Sequence, residues 1–472
     1  MSAAELATTG IRAEEPAELS GSTPRRVVYR PPGWLLPVGC AALVVSAAAL
    51  FWANRHFRIF NGMDALVYRR GTEDLWHGRS LYELKHGFLP FTYPPVAAVC
   101  FTPMRLLSPY LAAQALSAAS LCCLLLIVWI GLGMLGVAKG RGRAGLAACV
   151  TAAAMWLEPT MNNFQFGQIN MVLLLLVIGD MATSDRRWYK GLGVGLATGV
   201  KLVPGLFIVY FLATRRWRAA AVATGAFAVS IAVGFVATPH DSIEYWSSIG
   251  ASADRIGEAT QLWYVANQSV HGLLLRTVGA THGADRLWLV SAVVVAASAV
   301  WLAARAHALE NELLATVLVC LGGALVSPVS WTHHWVFAIL LVLVLADAVR
   351  RWSSPLRRSA RAWYTCLAVL VPFVFLAWPA PSGRLGGPAP QGLVFLAPNL
   401  NSPLPGKAPE LHWTWSQHLI GEAYTIVGLL FLIVCAVLLR RTGGAVAPAD
   451  RKARRSQRAP ASGWRWRGRR TP

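Results

Sequence analysis

The chain has 472 residues, of which 55% are hydrophobic and only 14% charged, with a mean hydropathy of +0.48 and a formal net charge of +21. Soluble domains carry about 25% charged residues, and one water-soluble core could not hide this much apolar surface, so a soluble enzyme is excluded. Nearly half of the excess positive charge sits from Arg440 to Pro472, with eleven Lys/Arg against one Asp and with Trp464 and Trp466 between arginines; that placement suits a cytoplasmic membrane surface and argues against a nucleic-acid partner.

In chain order, residues 1–32 read as a polar, disordered cytoplasmic leader. Leu35–Ala53 is the first apolar run; it is long and starts well inside the chain, so it reads as a span rather than a cleavable signal. Further runs are Leu111–Val137, Met171–Met181, Ala219–Ala237, Leu287–Ala304, Val336–Ala348 and Tyr424–Leu439. A helix needs roughly 20 apolar residues to cross the hydrocarbon, and several of these runs are shorter. Trp188–Thr214 carries Lys201 and Pro204 midway, which allows either one span or a hairpin of two half-length helices.

Basic clusters at Arg25–Arg30, Arg215–Arg218, Arg350–Arg361 and the tail orient the chain when all are placed in the cytoplasm. That leaves the segments 54–93, 158–170, 239–285, 327–334 and 379–422 outside, within an all-α polytopic membrane domain over 33–442 followed by a basic cytoplasmic tail, 443–472. With both ends inside, the span count is even, and about 12 is expected. The first outer loop holds Arg55, Arg58, Arg69, Arg70, Arg79 and Lys85, too basic for that side unless anionic lipid offsets them. The eight cysteines lie mostly in apolar runs without C-x-x-C spacing and read as small core residues.

Polar groups beside hydrocarbon cost several kcal/mol unless paired, and so mark candidate function. Asp64 opens a weakly helical stretch to Trp76; its carboxylate could take a proton from a sugar hydroxyl, or it could cap the helix from Ala65 or pair with Arg69 or Arg70. Glu73 and Asp74 compete on chemistry alone. Between two apolar runs, Glu158–Asn170 supplies Asn163, Gln168 and Asn170, whose amides suit sugar hydroxyls or an inter-helix clamp. Lys201 needs an anion, either a lipid phosphate or a structural partner. Asn267 and Gln268 precede Ser327–Trp335, where adjacent His333 and His334 make a poor metal pair, zinc preferring histidines four apart. No Asp-x-Asp occurs, so no metal cofactor is signalled; imidazole at a phosphate, with Trp331 stacking on a sugar, explains the cluster.

Together, Asp64-(x)3-Tyr68, Gly78–Tyr82, Phe91-Thr92-Tyr93-Pro94-Pro95, Gly167–Asn170, Lys201–Pro204, Arg215-Arg216-Trp217, Asn267–Ser269 and Ser327–Trp335 occur in an order that resembles glycosyltransferase family 87. These are polyprenyl-phosphate-dependent mannosyltransferases with the membrane GT-C fold. The resemblance runs from about Asp64 to Trp335. It implies an inverting transfer from a β-linked polyprenyl-phosphate-mannose to a mannosylated glycolipid of the phosphatidylinositol mannoside or lipomannan type, making an α-1,2 linkage at the outer face of the cell membrane. By the resemblance, Asp64 is the general base; Lys201, His333 and His334 meet the leaving phosphate; and Tyr68, Tyr93, Asn163, Gln168, Asn170, Asn267, Gln268 and Trp331 line the sugar or acceptor site. The family also holds arabinofuranosyltransferases, which leaves decaprenyl-phosphate-arabinose as the alternative donor. A lipid-linked-sugar flippase is the alternative of another class, and would hold its charges near the bilayer midplane rather than at span ends.

Overall fold

The computed structural model describes residues 29–57, 60–83, 89–248, 262–279, 282–351, 358–382, 387–400 and 408–443. The leader before residue 29, the basic tail after 443 and parts of the 239–285 and 379–422 segments lie outside the described residues.

Helix α1 (Leu35–Phe57) follows the helix-breaking Pro31-Pro32-Gly33, and a short helix α2 (Met63–Trp76) carries Asp64 in its first turn. After α3 (Pro95–Cys100), Ser108 caps the long α4 (Pro109–Met134) by accepting from Leu111 N at 3.3 Å. Helix α5 (Arg141–Ala154) lies along α1, where Gly39, Gly142 and Gly145 leave no room for a Cβ against the facing backbone. Lipid supplies no hydrophobic drive between helices, so this close approach is what van der Waals association requires.

Helix α6 (Glu158–Phe166) stops at Gly167, whose φ of +64° is the left-handed cap that glycine adopts without cost. A Cβ there would also meet Ala65, so the glycine permits α6 to abut α2. Helices α7 (Asn170–Ala182) and α8 (Leu192–Val200) are joined by a corner that satisfies both of their ends. The Asp180 carboxylate accepts from Gly191 N at 2.8 Å and Val194 N at 3.0 Å, while Lys190 Nζ donates to the carbonyls of Asp180 and Thr183 at 2.6 and 3.0 Å.

The stretch 188–214 is two short helices. Helix α8 ends before Lys201, which is extended at φ −150° and ψ 126°; a 3-10 turn over Val203–Gly205 leads into α9 (Leu206–Ala213). Pro204 supplies no N–H for a continuous helix, and the break leaves Lys201 on an irregular backbone. The remaining helices are α10 (Trp217–Ala237), α11 (Pro239–Ser247), α12 (Val270–Val278), α13 (His282–Ala308), α14 (Glu312–Val326), α15 (Ala338–Arg351), α16 (Arg358–Phe375), α17 (Trp415–Gly421) and α18 (Ala423–Gly443).

Among the described residues five helices are long and apolar enough to cross a bilayer, within α1, α4, α10, α13 and α18; α7, α9, α14 and part of α16 are apolar but shorter. The chain is thus a mostly helical polytopic membrane protein. The all-α expectation needs one correction: β1 (Ala377–Ser382) and β2 (Gly387–Gly392) pair antiparallel, with Pro379 opposite Pro390 and Pro381 opposite Pro388. The i, i+2 alternation puts all four prolines in one register class, where a ladder can dispense with their missing N–H.

Candidate active site

Polar side chains from five segments meet in one place. From α2, Tyr68 is fully buried, and its hydroxyl donates to Gln168 Oε1 at 2.7 Å and lies 3.0 Å from the Tyr93 hydroxyl. Gln168 Oε1 also accepts from Ile169 N at 3.2 Å, which fixes the amide with its NH2 toward the interior. That NH2 faces Tyr93 Oη and His333 Nε2, each at 3.4 Å, and the Gln168 amide favours the charged form of the Asp64 carboxyl. Asp64 is half-buried one turn before Tyr68 on the same helix. Gly62, not Asp64, is the N-cap of α2, and Arg69 pairs with Glu73 at 2.6 Å, so neither capping nor a pairing with Arg69 accounts for Asp64. Burial pushes the Asp64 carboxyl up to about 6, opposed by the Gln168 amide and the charge of Lys201.

The second half of the cluster centres on Lys201. Its Nζ donates to Asn170 Oδ1 at 3.0 Å and to His334 Nε2 at 3.0 Å, and it stands over the Tyr93 ring at 5.8 Å. Asn170 in turn donates to the His333 carbonyl at 2.9 Å. His333 and His334 share a 3-10 turn, Thr332–His334, which sets their rings perpendicular with centroids 4.7 Å apart. His333 therefore reaches Gln168 while His334 reaches Lys201. Burial first, and then Lys201, hold both imidazoles well below their ordinary pKa. The only full positive charge among these bonded groups is the ammonium.

Beside Lys201, Asn170 and His334 opens a groove. Its walls are apolar. Leu173, Leu174 and Val177 continue from Asn170 at i+3, i+4 and i+7 along one face of α7, opposite Val319, Cys320, Gly323 and Ala324 of α14. Seven residues of helix span about 10 Å, so an apolar channel leads away from a polar end. That end also holds the N-terminus of α7, which favours an anion.

Four residues expected at the site stand elsewhere. Asn163 donates to Ser120 Oγ at 3.1 Å and the Gln168 carbonyl at 3.2 Å, behind Gln168. Asn267 and Gln268 are fully buried and bonded to backbone: Asn267 to the Leu262 and Pro328 carbonyls and to Ser330 N, Gln268 to the Val265 and Gly421 carbonyls and to Tyr424 N. Their amides tie the loop before α12 to the 327–334 segment and to α18. Trp331 pairs across that loop with Asn267 and lies beside Tyr264 at 6.5 Å. Glu73 and Asp74 are held in ion pairs with Arg69 and Arg79. Conversely, Glu158 is a fully buried carboxyl next to the histidine turn that the sequence set did not single out. Its sequence signal is a carboxylate before Pro159, in a segment flanked by apolar runs.

The comparisons with known proteins agree with this chemistry. The model of glycosyltransferase family 87 matches residues 91–328. A polyprenol-phosphate-mannose-dependent alpha-(1-2)-phosphatidylinositol mannoside mannosyltransferase of Mycolicibacterium smegmatis is 36% identical over 69% of this chain and 77% of its own. Its namesake from Mycobacterium tuberculosis H37Rv is 39% identical over 60% and 70%. A polyprenol-phosphate-mannose-dependent alpha-(1-2)-phosphatidylinositol pentamannoside mannosyltransferase of Mycobacterium tuberculosis CDC 1551 is 33% identical over 81% and 90%. No solved structure matches the chain. A family match over half the sequence, with relatives alike along most of both chains, makes this protein a membrane enzyme of glycosyltransferase family 87.

Proposed function

We propose that the protein moves mannose from polyprenyl-phosphate-mannose to a phosphatidylinositol mannoside, forming an α-1,2 linkage at the outer face of the cell membrane. One observation carries the reading: a single ammonium, Lys201, stands at the polar end of an apolar groove, and its charge acts on the Asp64 carboxyl. A lipid phosphate fits that end, with its isoprenoid chain along the α7 groove. The relatives' names supply mannose and the mannoside acceptor and favour them over arabinose.

In this reading Asp64 takes the proton of the acceptor hydroxyl as its oxygen attacks the anomeric carbon. The bond from that carbon to the phosphate oxygen breaks, and the electron pair leaves with the polyprenyl phosphate. Lys201 meets the charge that develops there, where a fixed ammonium stabilises the transition state more than the ground state. His334 holds the ammonium in place, while Gln168, Tyr93 and Tyr68 orient Asp64 and the sugar. Phosphate is already a good leaving group, so Lys201 suffices without a metal. Asn267, Gln268 and Asn163 support the site from behind rather than touching sugar.

The test is transfer by purified protein in nanodiscs, from polyprenyl-phosphate-mannose to phosphatidylinositol mannosides of increasing size, with linkage analysis of the product. New α-1,2-mannose is expected. Transfer only from decaprenyl-phosphate-arabinose, or none from either donor, would overturn the reading.

A further inference from the structure

Glu158 opens α6 with its side chain fully buried, and among the described residues no Lys, Arg or His forms an ion pair with it. Two side chains are hydrogen-bonded to it instead: the Tyr424 hydroxyl of α18 donates to Oε2 at 2.6 Å and the Asn162 NH2 donates to Oε1. The same NH2 donates to Thr332 Oγ1 at 3.2 Å, so Asn162 bridges the carboxyl to the histidine turn, and the Thr332 hydroxyl faces the carboxyl and favours its charged form. The last side is Gly392 of β2, where a Cβ would fall 2.9 Å from the Tyr424 hydroxyl and 3.0 Å from Glu158 Cγ. Nothing larger fits. A carboxyl walled in this way has no path to a substrate, and burial pushes it up to about 7.

Buried polar groups are kept where they fix one arrangement. What Glu158 fixes is Thr332, the first residue of the turn whose next two residues are His333 and His334. A shift of that turn would move His334 Nε2 away from Lys201 and His333 Nε2 away from Gln168. We infer that Glu158 is a positioning residue, clamping Thr332 between α6 and α18 so that the histidine turn presents Lys201 to the donor phosphate, without itself touching donor or acceptor. This rests on the proposed donor reading of Lys201.

The decisive variants are Glu158→Gln and Thr332→Val, singly and together, assayed in nanodiscs. Each single variant should lower kcat/KM for polyprenyl-phosphate-mannose by about tenfold, with the acceptor KM unchanged, as expected when a supporting hydrogen bond behind a site is lost. The double variant should be no worse than either single one, because both remove the same link. Thr332→Ser, which keeps the hydroxyl, should stay near wild type. Wild-type kinetics in Thr332→Val, additive losses, or equal damage to both substrates would each overturn the inference. If Glu158→Gln does not fold, the nearly isosteric Thr332→Val against Thr332→Ser decides alone. A second arm measures binding of sugar-free polyprenyl phosphate, expected to weaken about tenfold in the variants. It needs no turnover, so a wild type that binds this lipid yet transfers no mannose would sink the proposed function and leave the clamp to be judged by binding.

Discussion

Lys201 Nζ stands 3.0 Å from His334 Nε2, within hydrogen-bond distance. The ammonium donates to a ring nitrogen that can only accept, so the imidazole orients the charge without adding one. Lys201→Ala should therefore lose the phosphate contact itself, lowering kcat by at least about 10² and raising the donor KM. Lys201→Arg keeps the charge with a wider fork and should fall between wild type and alanine. His334→Ala should be milder than Lys201→Ala. Initial rates against both substrates check this; a change confined to the acceptor KM would move these residues to the acceptor pocket.

Asp64 gives a pH dependence with a definite sign. Its carboxyl is pushed up to about 6, so the ionised base is depleted as pH falls through that value. In wild type kcat/KM should be level above this point and fall about tenfold per unit well below it. Asp64→Asn should lower turnover by at least about 10² and lose the acid limb, with donor binding retained. A rate profile of the two proteins from pH 5 to 8 decides; an unchanged limb in the variant would assign it to another group.

Transfer is expected to survive excess EDTA. The sequence has no Asp-x-Asp, and Lys201 already places an ammonium at the polar end of the groove. The carboxylate of the cluster His240, Asp241 and Glu244 that lies most buried, Asp241, is taken up by Leu81 N and Thr238 Oγ1. Activity abolished by chelation and restored by Mg²⁺ or Mn²⁺ would refute the expectation.

Two glutamines that look alike in sequence should fail differently. Gln168→Ala removes an amide bonded to His333 that favours the charged form of Asp64, and should lower turnover with normal folded yield. Gln268→Ala leaves buried carbonyls of Val265 and Gly421 and the N–H of Tyr424 without partners, and should lower melting temperature and yield first. Size-exclusion recovery and thermal melts beside rates separate the two.

Arg276 and Glu422 form a bidentate pair, both nearly inaccessible, and Arg276 also donates to the carbonyls of Trp263, Tyr264 and Asn267. Removing one partner strands a buried charge, at about 3–5 kcal/mol. Glu422→Gln or Arg276→Met should thus melt markedly earlier in detergent, and both together should recover part of the loss.

Much of the site could be read from the chain because membrane sequences are quiet. Asp64, Gln168, Asn170, Lys201 and the His333-His334 pair stand out against apolar runs, and the structure bonds the last five into one cluster whose charge and amide act on Asp64. What could not be read is direction. Asn163, Asn267 and Gln268 carry the same amide as Gln168, yet face backbone carbonyls, and residue type does not encode which way a side chain points. Glu158 escaped for a related reason: its partners Thr332 and Tyr424 are far away in sequence. Spans were legible where a helix must cross bilayer alone, as in α4 and α13. They were ambiguous where the helix is short, as in α7 and α9. The proline-rich hairpin of β1 and β2 has neither helical nor strand-like periodicity to announce it.

The bond from Tyr424 to Glu158 also orders events during synthesis. Asp64 and Lys201 belong to early helices, the histidine turn follows α14, and its outer buttress arrives only with α18. A chain still leaving the ribosome can insert its first helices while the turn that seats the ammonium lacks its support. On the inferred clamp, competence would await insertion of α18, the last long helix described.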